Sequence, residues 1–523
     1  MEISISANMV FVFVTIIVYL IVMVAVGIIC SKKNDNVGDF YLGGRRLGPL
    51  VTAMSAEASD MSSYLLMGLP GLAFLCGTGE VSWTCIGLAV GTYLNWLFVA
   101  RRLRLYSAKN GAITIPDFFS RRYGDSSNII SAISAVIILV FFIPYTASGF
   151  SACGKLFGTL FGVDYHVAML ISAVIIISYT SIGGFLAAST TDLIQSIVMS
   201  VALVILIVFG VSKAGGMGEV IENAKGLTGY LSLTQSHVHG DNSASPFGFL
   251  PIVSTLAWGL GYFGMPHILL RFMAIKDDKK IKLSRRIASV WVVISMGIAI
   301  LIGIIGNAMV NNGSISVLSD NSSSWSSESE TVVIKMAQLM AEHSVITAVF
   351  AGLIFSGILA CTMSTSDSQL LAASSSMSED LLHRFFKVEL DEKKSMIAAR
   401  AVLVIIAVIS VGIAWNPDSS VFRVVSFAWA GFGATFGPLM LLALFWRRSN
   451  KQGAVAGLVA GAVMVFVWKF AVRPMGGAWD IYELLPAFIV ALVINVIVSL
   501  ATKAPEDHVT DTFDKVNAEI KGS

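Results

Sequence analysis

Charge is what this sequence has least of. Only 13% of its 523 residues are Asp, Glu, Lys or Arg, about half the ~25% of an ordinary soluble domain. Hydrophobic residues make up 55%, and the mean hydropathy is +0.78. A chain this poor in charge cannot cover a soluble surface of its size, so a polytopic membrane protein is implied. The net charge of +2 gives no basic excess that would point to nucleic acid. Cysteine is scarce too: Cys30, Cys76, Cys85, Cys153 and Cys361 are scattered. An odd count with no CxxC spacing and no Cys/His cluster argues against a disulfide framework and against zinc. No cleavable leader is apparent. The apolar run 9–29 outlasts a signal-peptide core and lacks a small-residue cleavage site, so it reads as the first spanning helix. No nucleophile–base constellation appears, and the aqueous loops are too short for a catalytic domain, which argues against an enzyme. A repeated filter and an output domain after residue 503 are also missing, against a channel or a sensor.

What is present is a series of apolar segments of about 20 residues, the length that crosses a bilayer as a helix. Thirteen lie near 9–29, 47–70, 81–100, 127–155, 163–183, 188–212, 247–270, 286–309, 345–372, 397–415, 421–446, 452–472 and 482–502. The expected fold is therefore all-α, with about 13 transmembrane helices. If every segment crosses, 28 of the 35 basic residues fall on one side, from Lys32 and Lys33 through the seven between Arg271 and Arg286 to Lys521. The positive-inside rule makes that side cytoplasmic. The N-terminus is then outside and the C-terminus inside the cell membrane.

Two polar loops fall on the outer side. Residues 213–246 hold His237 and His239, which read as a solvated pair because two ligands without a third make a poor metal site. Residues 311–331 form a low-complexity Ser/Asn/Glu run. The charged tail after Ala504 reads as a short cytoplasmic extension.

Polar residues at membrane depth form three clusters. The first, Ala53 to Pro70, carries Glu57, Asp60 and the serines Ser55, Ser59, Ser62 and Ser63. An ionisable group at this depth costs at least ~2.5–3.5 kcal/mol, so it faces the protein interior and marks a function. Small hydroxyl residues beside it are how a broken transporter helix is written. The second cluster runs from Cys361 to Gln369 and includes Ser364, Thr365, Ser366, Asp367 and Ser368. Successive oxygens with a single carboxylate suit a hard monovalent cation, whereas one serine alone would only pack. The third is Asp192, for which helix capping and a second-cation or coupling role both stand open.

Trp258 to His267 is riddled with glycine and ends in Pro266, the mark of a second discontinuous helix. Its partner is the Ser55–Ser63 stretch five segments earlier. The two suggest a five-plus-five inverted repeat inside one domain spanning 1–523. Residues 1–46 are a first helix and loop, 47–212 and 247–446 the repeats, and 447–523 two added helices and the tail. Tyr145 and the run Trp429 to Pro438 are further pocket or gate residues.

Five stretches together resemble the sodium/solute symporter family, and within it the bacterial proline-carrying branch: DFYLGGRRLGP (39–49), SAEASDMSSYLLMGLPG (55–71), WGLGYFGMPHILLRFMA (258–274), MSTSDSQLL (363–371) and AWAGFGATFGP (428–438). The resemblance covers nearly the whole chain. It implies a leucine-transporter-type core, alternating access, sodium as the coupling ion (Na+) and L-proline as solute, in a chain functional as a monomer. It implies a sodium site from the carbonyls of Ala58, Met61 and Cys361 and the hydroxyls of Ser364 and Thr365. Asp60, Asp192, Asp367 and Ser368 are sodium or coupling residues in this reading, and Arg45 is a coupling residue at the cytoplasmic side. Solute-lining positions are Ser62, Ser63, Tyr64, Tyr145, Trp258, Tyr262 and Pro266. Glu57, Ser63 and Tyr64 depart from the family pattern, which leaves another amino acid, a betaine or a carboxylate open as solute.

Overall fold

The computed structural model describes residues 7–32, 36–389, 391–417 and 419–521. The main helices are α1 (Ala7–Ser31), α2 (Pro49–Asp60), α3 (Leu69–Cys76), α4 (Gly79–Leu94), α5 (Ala100–Asn110), α6 (Ile129–Phe161) and α7 (Tyr165–Lys213). They continue as α8 (Phe249–Leu256), α9 (Pro266–Ala274), α10 (Ile281–Asn311), α11 (Val345–Ser375) and α12 (Glu392–Ile413). The last four are α13 (Val421–Phe445), α14 (Lys451–Val467), α15 (Leu484–Ala501) and α16 (Asp507–Lys521). Among the described residues, ten helical segments are long and apolar enough to cross a membrane. One of them, α7, covers two of the expected segments: it bends at Gly184 (φ 64°, ψ −167°) with no loop between. Only glycine adopts that left-handed backbone freely.

Two expected segments are broken, as the serine-rich and glycine-rich stretches imply. In the first, α2 starts on Pro49 and ends at Asp60. Met61 leaves helical geometry (ψ 44°), and a π-helical turn, Tyr64–Gly68, leads into α3. In the second, α8 passes into an eight-residue 3-10 run, Ala257–Gly264; Met265 is extended, and Pro266 opens α9. A 3-10 run longer than three or four residues is uncommon. Here glycine permits it, because a Cβ on Gly261 would overlap the Trp429 indole and one on Gly264 the Phe432 carbonyl.

The start of α2 and the end of α9, one from each broken helix, are joined by backbone. Leu47 pairs with Ile275 as a parallel β-bridge: the Leu47 N–H donates to the Ala274 carbonyl (3.2 Å), and the Lys276 N–H donates to the Leu47 carbonyl (2.9 Å). Long helix α11 begins with a capping box, in which Ser344 and Thr347 each bond the other's backbone N–H. Its serine-rich half is buried against α7, α6 and α2.

The polar loops are more ordered than their composition suggests. Residues 213–246 hold a helix, Met217–Gly226, and an antiparallel hairpin, β1 (Gln235–Val238) and β2 (Ser243–Pro246). His237 is not solvated: it is buried, with Nδ1 2.9 Å from the Thr228 carbonyl. The serine-rich run ends in helical turns that bury Glu330 beside Lys155 (2.9 Å). Glu330 also accepts the Val421 and Phe422 N–H groups, capping α13 with a carboxylate where the helix dipole favours one. The tail forms α16, which buries Val509, Phe513 and Val516 and pairs Asp514 with Arg447.

Candidate functional site

The first break sets Ala58 against α11. Ser364 Oγ donates to the Ala58 carbonyl (2.7 Å) and lies 3.2 Å from the Cys361 carbonyl, to which Thr365 Oγ1 donates at 3.1 Å. All four residues are buried. Met61 ends the same half-helix, and its non-helical ψ turns its carbonyl out of the helical ladder. The structure thus gathers Ala58, Cys361, Ser364 and Thr365 at one point, with Met61 three residues further along. Neutral carbonyl and hydroxyl oxygens without a fixed cation form a donor set for a hard monovalent ion.

Two pairs of buried acids flank this point. Glu57 and Asp60 lie one helical turn apart. The Trp96 indole N–H donates to Glu57 Oε1 (2.9 Å) and the Tyr262 hydroxyl donates to Asp60, while Glu57 Oε2 has no partner. Among the described residues no basic side chain forms a salt bridge with either acid. Asp192 and Asp367 stand differently. Arg271, 1% exposed, reaches Asp192 Oδ2 at 3.2 Å, donates through Nε to Ser55 (3.0 Å) and bonds Ser368. Asp367 accepts from the Tyr179 hydroxyl (2.8 Å) and from Ser368 Oγ (3.0 Å). Asp192 does not cap a helix, because α7 runs through it unbroken from Gly184. Its side chain turns instead to Ser55 Oγ, 2.6 Å away. Arg271, counted in the sequence with the basic cytoplasmic loop, belongs to the interior.

The aromatic positions meet above the break. Tyr64 stacks on Trp258 (centroids 5.9 Å apart) and on Phe422 (5.8 Å), and Trp258 stacks on Tyr482 (5.1 Å). The Trp429 indole donates to the Trp258 carbonyl (2.8 Å) and packs edge-on to Tyr262 (5.1 Å). Ser62 Oγ accepts the Tyr64 N–H at 3.3 Å, and Pro266 is the buried first residue of α9. The hydroxyls of Ser63, Tyr64 and Tyr145 are buried without partners. Unpaired buried hydroxyls cost about 1–3 kcal/mol each, so such a group is where a polar ligand fits. Arg45 sits apart at the inner end, with positive φ (55°). Its fork donates to the carbonyls of Met273 (2.6 Å), Ser107 (3.0 Å) and Ala112 (2.6 Å).

The model of the sodium:solute symporter family matches residues 40–461, which takes in both broken helices, α11 and every member of the aromatic cluster but Tyr482. The chain belongs to the sodium:solute symporter family. This symporter is 41% identical to the sodium/proline symporter of Salmonella typhimurium, over 97% of its own length and 96% of the relative's. It is 39% identical to the high-affinity proline transporter of Bacillus subtilis, over 94% and 98%. Among solved structures it is similar to a substrate-bound, outward-open Na+-coupled sialic acid symporter (19% identity, TM-score 0.75, 95% of this chain and 99% of that one). It is also similar to Mhp1, a nucleobase-cation-symport-1 family transporter in a closed conformation (15% identity, TM-score 0.55, 91% and 98%). These show the fold: the inverted-repeat, leucine-transporter-type architecture.

Sequence reasoning missed several residues of the symporter's interior. Arg271 could have been found, because it stands alone among apolar neighbours (ILL before it, FMAI after it). Trp96, Phe422 and Tyr482 carry no such signal, since an aromatic in a membrane helix is ordinarily packing. Glu330 is hidden by the serines around it.

Proposed function

We propose that this symporter carries L-proline inward with sodium by alternating access across the cell membrane. The observation that carries the ion assignment is the Ser364 Oγ contact with the Ala58 carbonyl at the helix break. In this reading sodium takes the place of that hydrogen, ligated by the carbonyls of Ala58, Met61 and Cys361 and the hydroxyls of Ser364 and Thr365. The ion then ties α2 to α11 and preorganises the solute pocket, so each ligand raises the affinity of the other. Asp60 supplies the negative field; Asp192, Asp367 and Ser368 couple through Arg271; Arg45 holds the inner end. L-Proline lies among Ser62, Ser63, Tyr64, Tyr145, Trp258, Tyr262 and Pro266, a reading supported by the names of the relatives at about 40% identity.

The same reading takes thirteen crossings of one domain, with α7 crossing twice and each broken helix once. It places the N-terminus outside, the C-terminus in the cytoplasm, the repeats at 47–212 and 247–446, and the working unit in a monomer. A second solute, bearing one more polar group than proline, is favoured by one observation: the unpartnered hydroxyls of Ser63 and Tyr64. Radiolabelled L-proline uptake into proteoliposomes, with and without an inward sodium gradient, separates the two. Accumulation that needs sodium and is blocked only by proline analogues is the expected result. Sodium-driven flux of another solute, with none of proline, replaces the substrate and keeps the symporter.

A further inference from the structure

Outside the transport path, a cluster of four basic side chains lines a surface cavity of about 410 Å³ between the end of α4, α5 and the start of α10. Arg101, Lys279, Lys282 and Arg285 face it, against a single carboxylate, Asp278, which Arg101 engages at 3.0 Å. Arg285 lies over the Tyr93 ring (5.2 Å), and its Nε is buried with no hydrogen-bond acceptor. Lys279 and Lys282 are exposed, and an anion entering the cavity would give the buried Arg285 Nε the acceptor it lacks. The wall leading away from the cavity is not polar. Ile86, Val90, Tyr93 and Leu97 are exposed and recur along one face of α4 and its continuation, and Val290, Val293 and Ile294 are exposed on α10. A free anion has no use for that apolar track; a molecule with an anionic head and hydrocarbon tails fits both parts.

We propose that this cavity binds an anionic phospholipid: the phosphodiester meets Arg285, Lys282 and Lys279, and the acyl chains run along the exposed faces of α4 and α10. Basic pockets between membrane helices at the cytoplasmic surface are a recognised form of head-group site. Arg rather than Lys at the deepest position suits bidentate contact with phosphate oxygens. The floor of the cavity is Trp96, whose indole holds Glu57. A lipid here therefore sits one side chain from the buried acid Glu57. The site goes beyond the transport reading and does not depend on which solute is carried.

Native mass spectrometry of the detergent-purified full chain tests it, with phosphatidylglycerol or phosphatidylcholine added in equal amounts. The expected result is one retained phosphatidylglycerol per chain, preferred over phosphatidylcholine, and a roughly thirtyfold loss of that affinity in Lys282→Gln/Arg285→Gln. Equal retention of the two lipids by the wild-type chain overturns the proposal without any variant. So does an unchanged phosphatidylglycerol affinity in the double variant. A third arm adds inorganic phosphate at millimolar concentration. Retention of the lipid supports the proposal, and full displacement assigns the cavity to small anions instead.

Discussion

Two pairs of carboxylates lie buried within a few helical turns of each other, and they are balanced in opposite ways. Asp192 has a resident cation: Arg271, on α9, bonds Asp192, Ser55 and Ser368 at once, and Ser368 in turn bonds Asp367. Glu57 and Asp60 have only neutral donors, the Trp96 indole and the Tyr262 hydroxyl. A charge taken out of water needs a partner. One pair has a cation built into the chain; the other has no basic partner among the described residues. The difference separates an acid neutralised within the protein from acids that the transport role proposed above leaves to an incoming cation.

Removing the built-in partner should have the largest effect. Arg271→Ala leaves Asp192 uncompensated and should cost about 3–5 kcal/mol of stability, read as a lowered thermal midpoint in detergent. Arg271→Ala/Asp192→Asn should recover most of it, and a double variant no better than the single would break the comparison. Next is Asp60→Asn, which should reduce sodium-dependent uptake roughly a hundredfold, about 2.7 kcal/mol, while the amount of protein in the membrane stays unchanged. If transport survives, the unpaired acids do not serve the ion. Thr365→Ala removes one neutral oxygen and should raise the sodium concentration for half-maximal uptake about tenfold, with the maximal rate less affected. The smallest effect belongs to Trp96→Phe, which takes one donor from Glu57 at a cost of about 1 kcal/mol. Adding Glu57→Gln to it should change stability by no more than Glu57→Gln does alone, since the hydrogen bond is already gone.

Much of this arrangement was legible in the residue order, for a physical reason. A helix that must break announces it with glycine, proline and serine, so the interruptions at Ser55–Ser63 and at Trp258–Pro266 were readable from composition. Ser364 and Thr365 were readable because hydroxyls in succession have no reason to face lipid. Pairing between distant segments was not. Arg271 and Asp192 are 79 positions apart, and although the apolar neighbours of Arg271 mark it as interior, nothing local names Asp192 as its partner. Counting basic residues by their distance from an apolar segment placed Arg271 in the wrong medium. Asp192 looked like a possible cap because the expected gap between segments fell just before it. A bend at one glycine, Gly184, needs no gap, and the helix continues. The serine-rich run around Glu330 hid its acid for the reverse reason: low complexity reads as solvated chain, and one buried ion pair with Lys155 fastens it down.

The backbone bridge between Leu47 and Ile275 carries a mechanical consequence. Its two hydrogen bonds, together with the grip of Arg45 on the Met273 carbonyl, yoke the inner ends of α2 and α9. In the transport cycle proposed above, two half-helices joined at their tips would swing as one lever, with a single hinge where two independent flaps would otherwise be free. Under that proposal the carbonyl side of the path, on α2, and the aromatic side, which leads into α9, would open in the same stroke. Neither ligand would then be released while the other stays enclosed.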